Sequence, residues 1–319
     1  MAVYTPVERS ALDAFLAGYD IGVAVDLVPI QEGVENSNYQ LVTTLGRFIL
    51  TIYEKRVDRN DLPFFLGLML HLAEHGLPCP LPVRGADGTM LREIGGKPAA
   101  IVTFLEGRSA RRLTSQHCRM VGAALAAMHL AGQGFSIRRP NALALPGWRE
   151  LAARCAARAD EVVGGLAAEI DAEIATMAEA WPHDLPAGVI HADLFPDNVF
   201  FAGGRVSGLI DFYFACDDLL AYDLAICLNA WCFETDGSFN VTKARALVEG
   251  YRGKRPLSAA ELDALPILAR GSALRFMLTR LYDWLNQVEG ALVKPKDPLE
   301  YLAKLRFHRG IRGVDAYGL

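Results

Sequence analysis

The feature that most constrains how this 319-residue chain can fold is the stretch from Val189 to Phe212. It consists of a polar segment, two short apolar segments that flank the pair Gly203-Gly204, and a final Asp-Phe. Apolar segments joined by a glycine turn predict a tight β-hairpin, with strands at Val199–Phe201 and Val206–Ile210. Such a hairpin brings the residues before its first strand and after its second strand to the same end.

The predicted hairpin brings Asn198 and Asp211 to the same end, beside Asp193 of the segment His191-Ala-Asp193. Asp193 precedes Asn198 by five positions, as in the protein-kinase catalytic loop, where the Asp receives a hydroxyl proton and the Asn holds magnesium. Mg²⁺ prefers oxygen ligands and keeps several waters, so one amide and one carboxylate suffice. Asn198 and Asp211 are therefore the predicted metal ligands and Asp193 the predicted base. The alternative, a surface turn rich in Asp and Asn, is disfavoured by this combination.

Composition excludes several classes of protein. Hydrophobic residues make up 52% of the chain and charged residues 22%, which is typical of a globular protein. The net charge of −5, without a strongly basic patch, argues against a nucleic-acid partner. No apolar run reaches membrane-spanning length and the N-terminus lacks a signal pattern, so we expect a cytoplasmic protein. The six scattered cysteines include no C-x-x-C pair, and several of them lie in apolar helical patterns that predict buried thiols.

The order of predicted elements divides the chain into two lobes. A first helix after Thr5 precedes strands at Val23–Ile30, Tyr39–Thr44 and Phe48–Tyr53, a helix at Asp61–His75 and two further strands. Beyond Thr114 the pattern is helical and includes one Ala-rich helix from Trp148 to about Trp181. We expect an α+β fold with a β-rich lobe at 1–106, a mainly helical lobe at 107–319 and a cleft between them.

Two segments of the predicted β-rich lobe are candidates for nucleotide contacts. The loop after the first strand contains Gly33, Asn36, Ser37 and Asn38, and its backbone N–H groups could cover phosphates. It lacks the G-x-G-x-x-G spacing, so an ordinary hairpin is an equal alternative. The segment that follows Ala99–Phe104 looks like a kinase hinge, where adenine would bond to the Thr103 carbonyl and the Leu105 amide.

At these motifs the sequence resembles the aminoglycoside phosphotransferase/choline kinase superfamily, which shares the protein-kinase fold. The superfamily's landmarks are present in order and spacing as His191-Ala-Asp193-Leu-Phe-Pro-Asp197-Asn198, Ile210-Asp211-Phe212 and Tyr222-Asp223-Leu224-Ala225. Within it, the chain from Met1 to about His308 resembles the bacterial homoserine kinases of this type. That resemblance implies ATP, Mg²⁺ and L-homoserine as cofactors and substrate, and a step of threonine biosynthesis.

The resemblance also implies a role for each landmark. It makes Asp193 the base, Asn198 and Asp211 the Mg²⁺ ligands, and Gly33 to Asn38 the cover over the phosphates. Asp223 would brace the catalytic loop from the start of the next helix, with a helix cap as the alternative. His191 is expected to orient the loop backbone rather than to transfer protons.

One departure from kinases concerns the cation that holds the α- and β-phosphates. Kinases place a Lys on the third strand and pair it with a Glu on the following helix. Here Thr51 and Phe65 stand at those positions. Joint loss is physically consistent, because either charge alone would be buried unpaired. Lys55 shares the strand face with Thr51, but at ~3.3 Å per residue it lies ~13 Å further along.

A homoserine site needs a cation for the carboxylate and an anion for the ammonium. Arg275 and Arg280, in an apolar helix, are candidates for the carboxylate. Asp217, Asp218 and Asp283 are candidates for the ammonium. The alternative is internal pairing, since Arg280 and Asp283 are three positions apart on one helix.

Two other functions stay open at the level of the sequence. One is a kinase with another small hydroxyl acceptor, such as choline, methylthioribose or an aminoglycoside. The other is a nucleotide-binding module without catalysis, which the missing Lys–Glu pair suggests. The presence of Asp193, Asn198 and Asp211 together argues against the second.

Overall fold

The computed structural model describes residues 5–30, 36–54, 58–287 and 295–319. In its first part the strands are β1 Ala24–Pro29, β2 Ser37–Thr43, β3 Gly46–Ile52, β4 Arg92–Ile94 and β5 Lys97–Thr103. They form one antiparallel sheet in the order β1-β2-β3-β5-β4. Two helices accompany the sheet, α1 Arg9–Leu16 and α2 Leu62–Glu74. The predicted strands and both predicted helices of this region are confirmed.

Strand β2 alternates buried and partly exposed side chains throughout its length, whereas β5 is buried on both faces from Ala99 to Val102. Leu41, Leu50 and Ile101 point to one face and are fully buried. The amphipathic helix α1 covers that face with Leu12 and Phe15. Helix α2 instead packs into a second hydrophobic core, which is formed mainly by the helical part of the chain.

The rest of the chain is mainly helical. Its helices are α3 Ser115–Ala131, α4 Leu145–Cys155, α5 Leu166–Ala180, α6 Leu220–Trp231, α7 Val241–Arg252, α8 Ala259–Leu285 and α9 Pro298–Arg309. Two short antiparallel pairs lie among them: β6 Ala187–Ile190 pairs with β9 Cys216–Leu219, and β7 Val199–Ala202 forms a hairpin with β8 Arg205–Leu209. The α+β, two-lobed prediction is confirmed. The change from sheet to helix between Thr103 and Ser115 supports our proposal of a boundary after Glu106.

The prediction of one Ala-rich helix from Trp148 to Trp181 is wrong. Helix α4 ends at Cys155, and α5 begins only at Leu166, after Gly165 at a φ of +81°. A left-handed glycine cannot continue a right-handed helix, so the chain turns back here. The turn brings the rings of Trp148 and Trp181 to 5.1 Å, whereas a continuous helix would separate them by about 50 Å.

All six cysteines are buried thiols, as the sequence predicts for several of them. Among the helices of the described ranges, none combines the length and apolar character needed to cross a bilayer.

A buried histidine at the end of α9 predicts acid sensitivity. The Nε2–H of His308 donates to Asn229 Oδ1 at 3.0 Å, and the Tyr317 hydroxyl donates to Nδ1 at 2.7 Å. Burial lowers the pKa of His308 to about 3. Below its ordinary pKa of about 6.5 the unfolded chain binds a proton that the folded chain does not, so stability falls as pH drops.

We therefore expect the free energy of unfolding of the wild type to fall by up to about 1.4 kcal/mol per pH unit, through His308, between pH 6.5 and 5. Urea unfolding across that range measures the slope. His308→Gln removes the titrating ring. The slope of the free energy of unfolding against pH should then fall by the amount that corresponds to one proton taken up on unfolding. The matched control His183→Gln replaces an exposed histidine and should leave the slope unchanged. Equal slopes in the wild type and His308→Gln would refute the assignment.

Candidate active site

The predicted hairpin is present and carries the candidate site. Strands β7 and β8 pair from Val199–Leu209 to Ala202–Arg205, and the turn residues Gly203 and Gly204 have φ of +55° and +73°. Two successive positive φ angles suit a type I′ turn, which only glycine adopts at no steric cost. The Ile210 N–H donates to the Asn198 carbonyl at 3.0 Å, and this bond brings the two ends of the hairpin together.

Asp193 lies in the loop between β6 and β7. The Asn198 side-chain amide donates to the Asp193 backbone carbonyl at 2.7 Å and to its carboxylate at 3.3 Å. Burial raises the pKa of Asp193 to about 8, and the negative charge of Asp211 acts in the same direction, whereas the Arg275 guanidinium lowers it. The Asp193 carboxylate therefore stands in a poorly solvated position within electrostatic reach of Asp211.

Asp223, in the first turn of α6, binds the backbone of this loop. Its carboxylate accepts the N–H groups of His191 at 2.7 Å and Ala192 at 2.9 Å. A third bond, at 3.1 Å, joins it to Nε2 of His129. Burial alone would raise the pKa of Asp223, but the hydrogen bond and charge of His129 hold it below the usual range. These are the contacts that the predicted bracing role requires.

His191 connects the loop to the end of the hairpin. Its Nε2–H donates to the Ile210 carbonyl at 2.9 Å, and its Nδ1 accepts the Asp193 N–H at 3.3 Å. Burial lowers the pKa of His191, so the ring stays neutral with one donor and one acceptor in use. Both ring nitrogens are occupied by backbone, which suits an orienting role and leaves neither for proton transfer.

The residues near Asp193 fit a magnesium ion. Since Nδ2 of Asn198 is bonded to Asp193, its Oδ1 remains as an acceptor, and Asp211 adds a carboxylate at a left-handed φ of +65°. In the part of the chain that the structure describes, no group of three His, Cys, Asp or Glu could hold a metal by itself. One amide and one carboxylate match a cation that completes its shell with water and phosphate oxygens, as Mg²⁺ does.

The described residues of the predicted phosphate loop contact Thr51 of β3 and Glu54, two residues beyond that strand. Asn36 Oδ1 accepts the Glu54 N–H at 3.3 Å, and Ser37 Oγ donates to the Glu54 carboxylate at 2.7 Å. Asn38 Oδ1 accepts the Thr51 hydroxyl at 2.8 Å. Ser37 and Asn38 thus lie at the start of β2 rather than in the predicted loop, of which Asn36 is the described residue that precedes the strand. Gly33 and Lys55 lie outside the described residues.

The predicted hinge lies against the hairpin. Thr103 ends β5, and its hydroxyl accepts the Leu81 N–H at 2.9 Å. The Leu105 side chain sits over Gly208 of β8, where a Cβ atom would come within 2.5 Å of Leu105 Cδ1. Gly208 therefore permits close packing between the hinge and the hairpin.

An aromatic contact takes the place of the kinase Lys–Glu pair. The Tyr213 ring meets Phe65 of α2 edge-on at 5.5 Å and Tyr53, just after β3, at the same distance. The hydroxyls of Tyr213 and Tyr53 are 3.4 Å apart. The third strand, α2 and the segment after Asp211 are thus joined without a buried charge. The sequence indicated the loss of the pair but not this replacement.

Most of the predicted substrate residues make hydrogen bonds or ion pairs within the folded chain. Arg280 pairs with Glu300 of α9 at 2.6 Å, and Arg275 donates to the Ala192 carbonyl. Asp217 accepts the Arg138 guanidinium at 2.8 Å and the Arg139 N–H at 2.8 Å. The remaining two candidates are Asp218, bonded to the Asn141 amide at 2.6 Å, and Asp283, half-buried in the last turn of α8.

Two basic residues near the site have no signal in the sequence. The Lys296 ammonium lies 5.5 Å from the centre of the Phe195 ring, and its charge lowers the pKa of Asp193. Arg139 donates to Asp61 at the start of α2 at 2.7 Å and to the Ala215 carbonyl at 3.0 Å. Neither Lys296 nor Arg139 belongs to a sequence motif or to a periodic pattern of residues, so their positions become evident only in the folded chain.

The architecture and the chemistry of the loop define a class: the protein is a phosphotransferase with the protein-kinase-like fold. Comparison with known families agrees, since the model described as "Phosphotransferase enzyme family" matches residues 26–257. Among curated proteins, the chain is 63% identical over 319 residues to a homoserine kinase of Agrobacterium fabrum, covering 100% of this chain and 99% of that one. It is 62% identical to a homoserine kinase of Rhizobium meliloti, with 100% and 98% covered. The chain belongs to this phosphotransferase family, in the branch of the homoserine kinases.

Solved structures of low identity share the fold. An amicoumacin kinase in complex with AMP-PNP and Ca²⁺ matches with a TM-score of 0.70 at 17% identity, covering 95% of this chain and 92% of that one. A microcompartment-associated aminopropanol kinase matches with a TM-score of 0.64 at 17% identity, with 98% and 99% covered.

Proposed function

We propose that the protein is an ATP-dependent homoserine O-phosphotransferase that converts L-homoserine and ATP into O-phospho-L-homoserine and ADP, a step of threonine biosynthesis. The observation that carries this proposal is Asp193, held by Asn198 beside Asp211 in a chain 61–63% identical to homoserine kinases over its full length. An alcohol acceptor requires a base at this place and charge neutralisation next to it, and the loop offers both.

In this mechanism Asp193 faces the γ-hydroxyl of homoserine and accepts its proton as the hydroxyl attacks in line. Asn198 bonds to the backbone and carboxylate of Asp193 and so fixes the direction in which the base points. Asn198 Oδ1 and the Asp211 carboxylate would hold Mg²⁺, which neutralises charge on the β- and γ-phosphates when bound. The backbone of the loop ending at Asn38 would cover the phosphates, and the Thr103 carbonyl and Leu105 amide would bond to adenine.

We assign the homoserine ammonium to Asp218 and the carboxylate to Lys296. Asp218 is half-buried, and burial raises its pKa, so it gains from a cationic partner. Lys296 is exposed, and its charge acts on Asp193, whereas Arg280 is already paired with Glu300. Among the residues that the structure describes, Lys296 forms no ion pair, so its ammonium can bind a carboxylate without first breaking one.

Replacing Lys296 with Met should raise the KM for homoserine about 10- to 30-fold, the expected loss of one charge-assisted hydrogen bond. Because the proposed nucleotide contacts do not include Lys296, the KM for ATP should change less than threefold, and the effect on kcat should be smaller than the effect on the KM for homoserine. Steady-state kinetics measure all three constants. Lys296→Arg keeps the charge and should retain most of the affinity. Lys254→Met, at an exposed lysine elsewhere, is the matched control. An unchanged KM in Lys296→Met would exclude this lysine as the carboxylate ligand.

The proposal is tested by an ATP-coupled assay across homoserine, choline, methylthioribose and an aminoglycoside, with and without Mg²⁺. We expect turnover with homoserine at least 100-fold above the other acceptors, and none after chelation of Mg²⁺. Preference for another acceptor would replace homoserine and keep the phosphotransferase. Nucleotide binding without turnover of any acceptor would support a binding module instead.

A further inference from the structure

Two residues that flank the chemistry have a strained backbone. Over the described ranges, Ala192 at φ +62° and Asp211 at φ +65° are the non-glycine residues with positive φ. A left-handed alanine lacks the polar side chain that helps Asn and Asp tolerate this conformation and persists only where its surroundings impose it. Ala192 immediately precedes Asp193, so its backbone angles decide where the proposed base points.

Charged side chains from two different helices hold both peptide groups of Ala192. Its N–H donates to Asp223 of α6 at 2.9 Å, and its carbonyl accepts a hydrogen bond from Nη1 of Arg275 on α8. Ala192 is 1% exposed, so water cannot replace a lost partner. Loss of either contact leaves a buried peptide group unpaired and removes what holds the strained angle.

Arg275 is unusual for a buried arginine. It is 2% exposed, and in the described part of the chain its Nε has no hydrogen-bond partner and no carboxylate lies within salt-bridge distance. Its guanidinium instead lies 4.3 Å from the centre of the Phe276 ring and 5.7 Å from that of Phe214, in the segment after Asp211. A buried guanidinium without an ion pair is costly, so its position needs a reason other than stability.

We infer that Arg275 is a positioning residue for phosphoryl transfer: it fixes the left-handed peptide of Ala192 and thereby the direction of the Asp193 carboxylate. The inference rests on the proposed function of Asp193. It differs from the sequence-based prediction that Arg275 binds the substrate carboxylate, because a ligand for substrate affects KM whereas a residue that aims the base affects kcat.

The test compares Arg275→Met with Arg270→Met, the same substitution on the same helix. Arg270 forms a two-bond pair with Glu173 at 2.7 and 2.9 Å and has no contact with the loop. Both variants should lower the melting temperature. Only Arg275→Met should lower kcat, by about 10- to 100-fold, the usual effect of a misplaced catalytic group, with both KM values within threefold of wild type. Arg275→Lys can still donate to the Ala192 carbonyl and should stay within fivefold of the wild-type kcat.

A second substitution tests the strain itself. Glycine adopts positive φ at no steric cost, so Ala192→Gly in the Arg275→Met background should raise kcat at least fivefold over Arg275→Met alone. No recovery, or an equal kcat loss in Arg270→Met, would reduce Arg275 to a structural role. A KM for homoserine raised more than tenfold with unchanged kcat would make it a substrate ligand. If Arg275→Met does not fold, a loss of more than tenfold in folded Arg275→Lys contradicts the inference.

The two proposals fail in different ways. If the wild type phosphorylates another acceptor of the panel and not homoserine, the proposed substrate is wrong, and the same variants are compared with that acceptor. If the wild type phosphorylates homoserine and Arg275→Met matches it in kcat, only the positioning role is wrong.

Discussion

Replacing Asp193 with asparagine is expected to lower kcat for homoserine phosphorylation by about 10²- to 10⁴-fold, the usual contribution of a general base. Asparagine has the same size and keeps an oxygen acceptor for the Asn198 amide, which lies 3.3 Å from the Asp193 carboxylate. It cannot accept a proton, so only the transfer step loses its base. The KM for ATP should remain within threefold of wild type, because Asp193 is not among the proposed nucleotide contacts.

Asp197→Asn is the matched control for this experiment. Asp197 lies in the same loop, is exposed, and acts on Asp193 only through its charge. The control removes one negative charge from the loop without removing the base, and its kcat should stay within threefold of wild type. A loss of less than tenfold in Asp193→Asn would reject Asp193 as the base. An equal loss in both variants would indicate a general effect of charge in the loop.

Replacing Asp223 with asparagine is expected to lower both stability and catalysis. The carboxylate accepts two backbone N–H groups and bonds to His129, whereas an amide has one oxygen and would turn its NH₂ toward a donor. Asp223 is fully buried, so water cannot satisfy the group left over. We expect about 3 kcal/mol less stability, as for a broken buried charged contact, and a kcat lower by about 100-fold.

The pH dependence of this effect follows from the lowered pKa of Asp223. A carboxylate with a lowered folded-state pKa contributes stability that is complete above its ordinary pKa of about 4 and is lost only as pH falls further. The loss of unfolding free energy in Asp223→Asn should therefore be constant from pH 6 to 9, as measured by urea unfolding.

The kinetic control is Asp160→Asn, which removes a carboxylate that accepts the Ala167 N–H far from the loop and should leave kcat unchanged. Full activity in Asp223→Asn would show that the loop does not need this brace.

The catalytic loop was predictable because its information is local. Asn198 and Ile210 are close in sequence, and the glycine pair between them specifies how the chain returns. Only a few kinds of side chain can hold a metal ion or accept a proton at the end of the hairpin where Asn198 and Asp211 lie. The structure brings Asp211 within electrostatic reach of Asp193, as expected. The roles of these residues stay predictions until the variants are measured.

The surroundings of the loop were not predictable, because they depend on contacts between distant parts of the chain. Tyr53 and Tyr213 are 160 positions apart, yet their hydroxyls lie 3.4 Å from each other. Packing of α9 on α8 pairs Arg280 with Glu300, a contact that the sequence did not indicate. The Trp148–Trp181 contact likewise required a break that the Ala-rich pattern concealed.

By itself, the sequence determined the class of fold, the hairpin and the set of polar residues at its end, since strand, turn and loop preferences act over a few neighbouring positions. The tertiary structure alone decided which charges are paired, that aromatic rings take over from the Lys–Glu pair, and that Arg275 bonds to Ala192. The physical reason is that a side chain's partner is set by which helices and strands pack together, and packing depends on the whole chain rather than on any one segment.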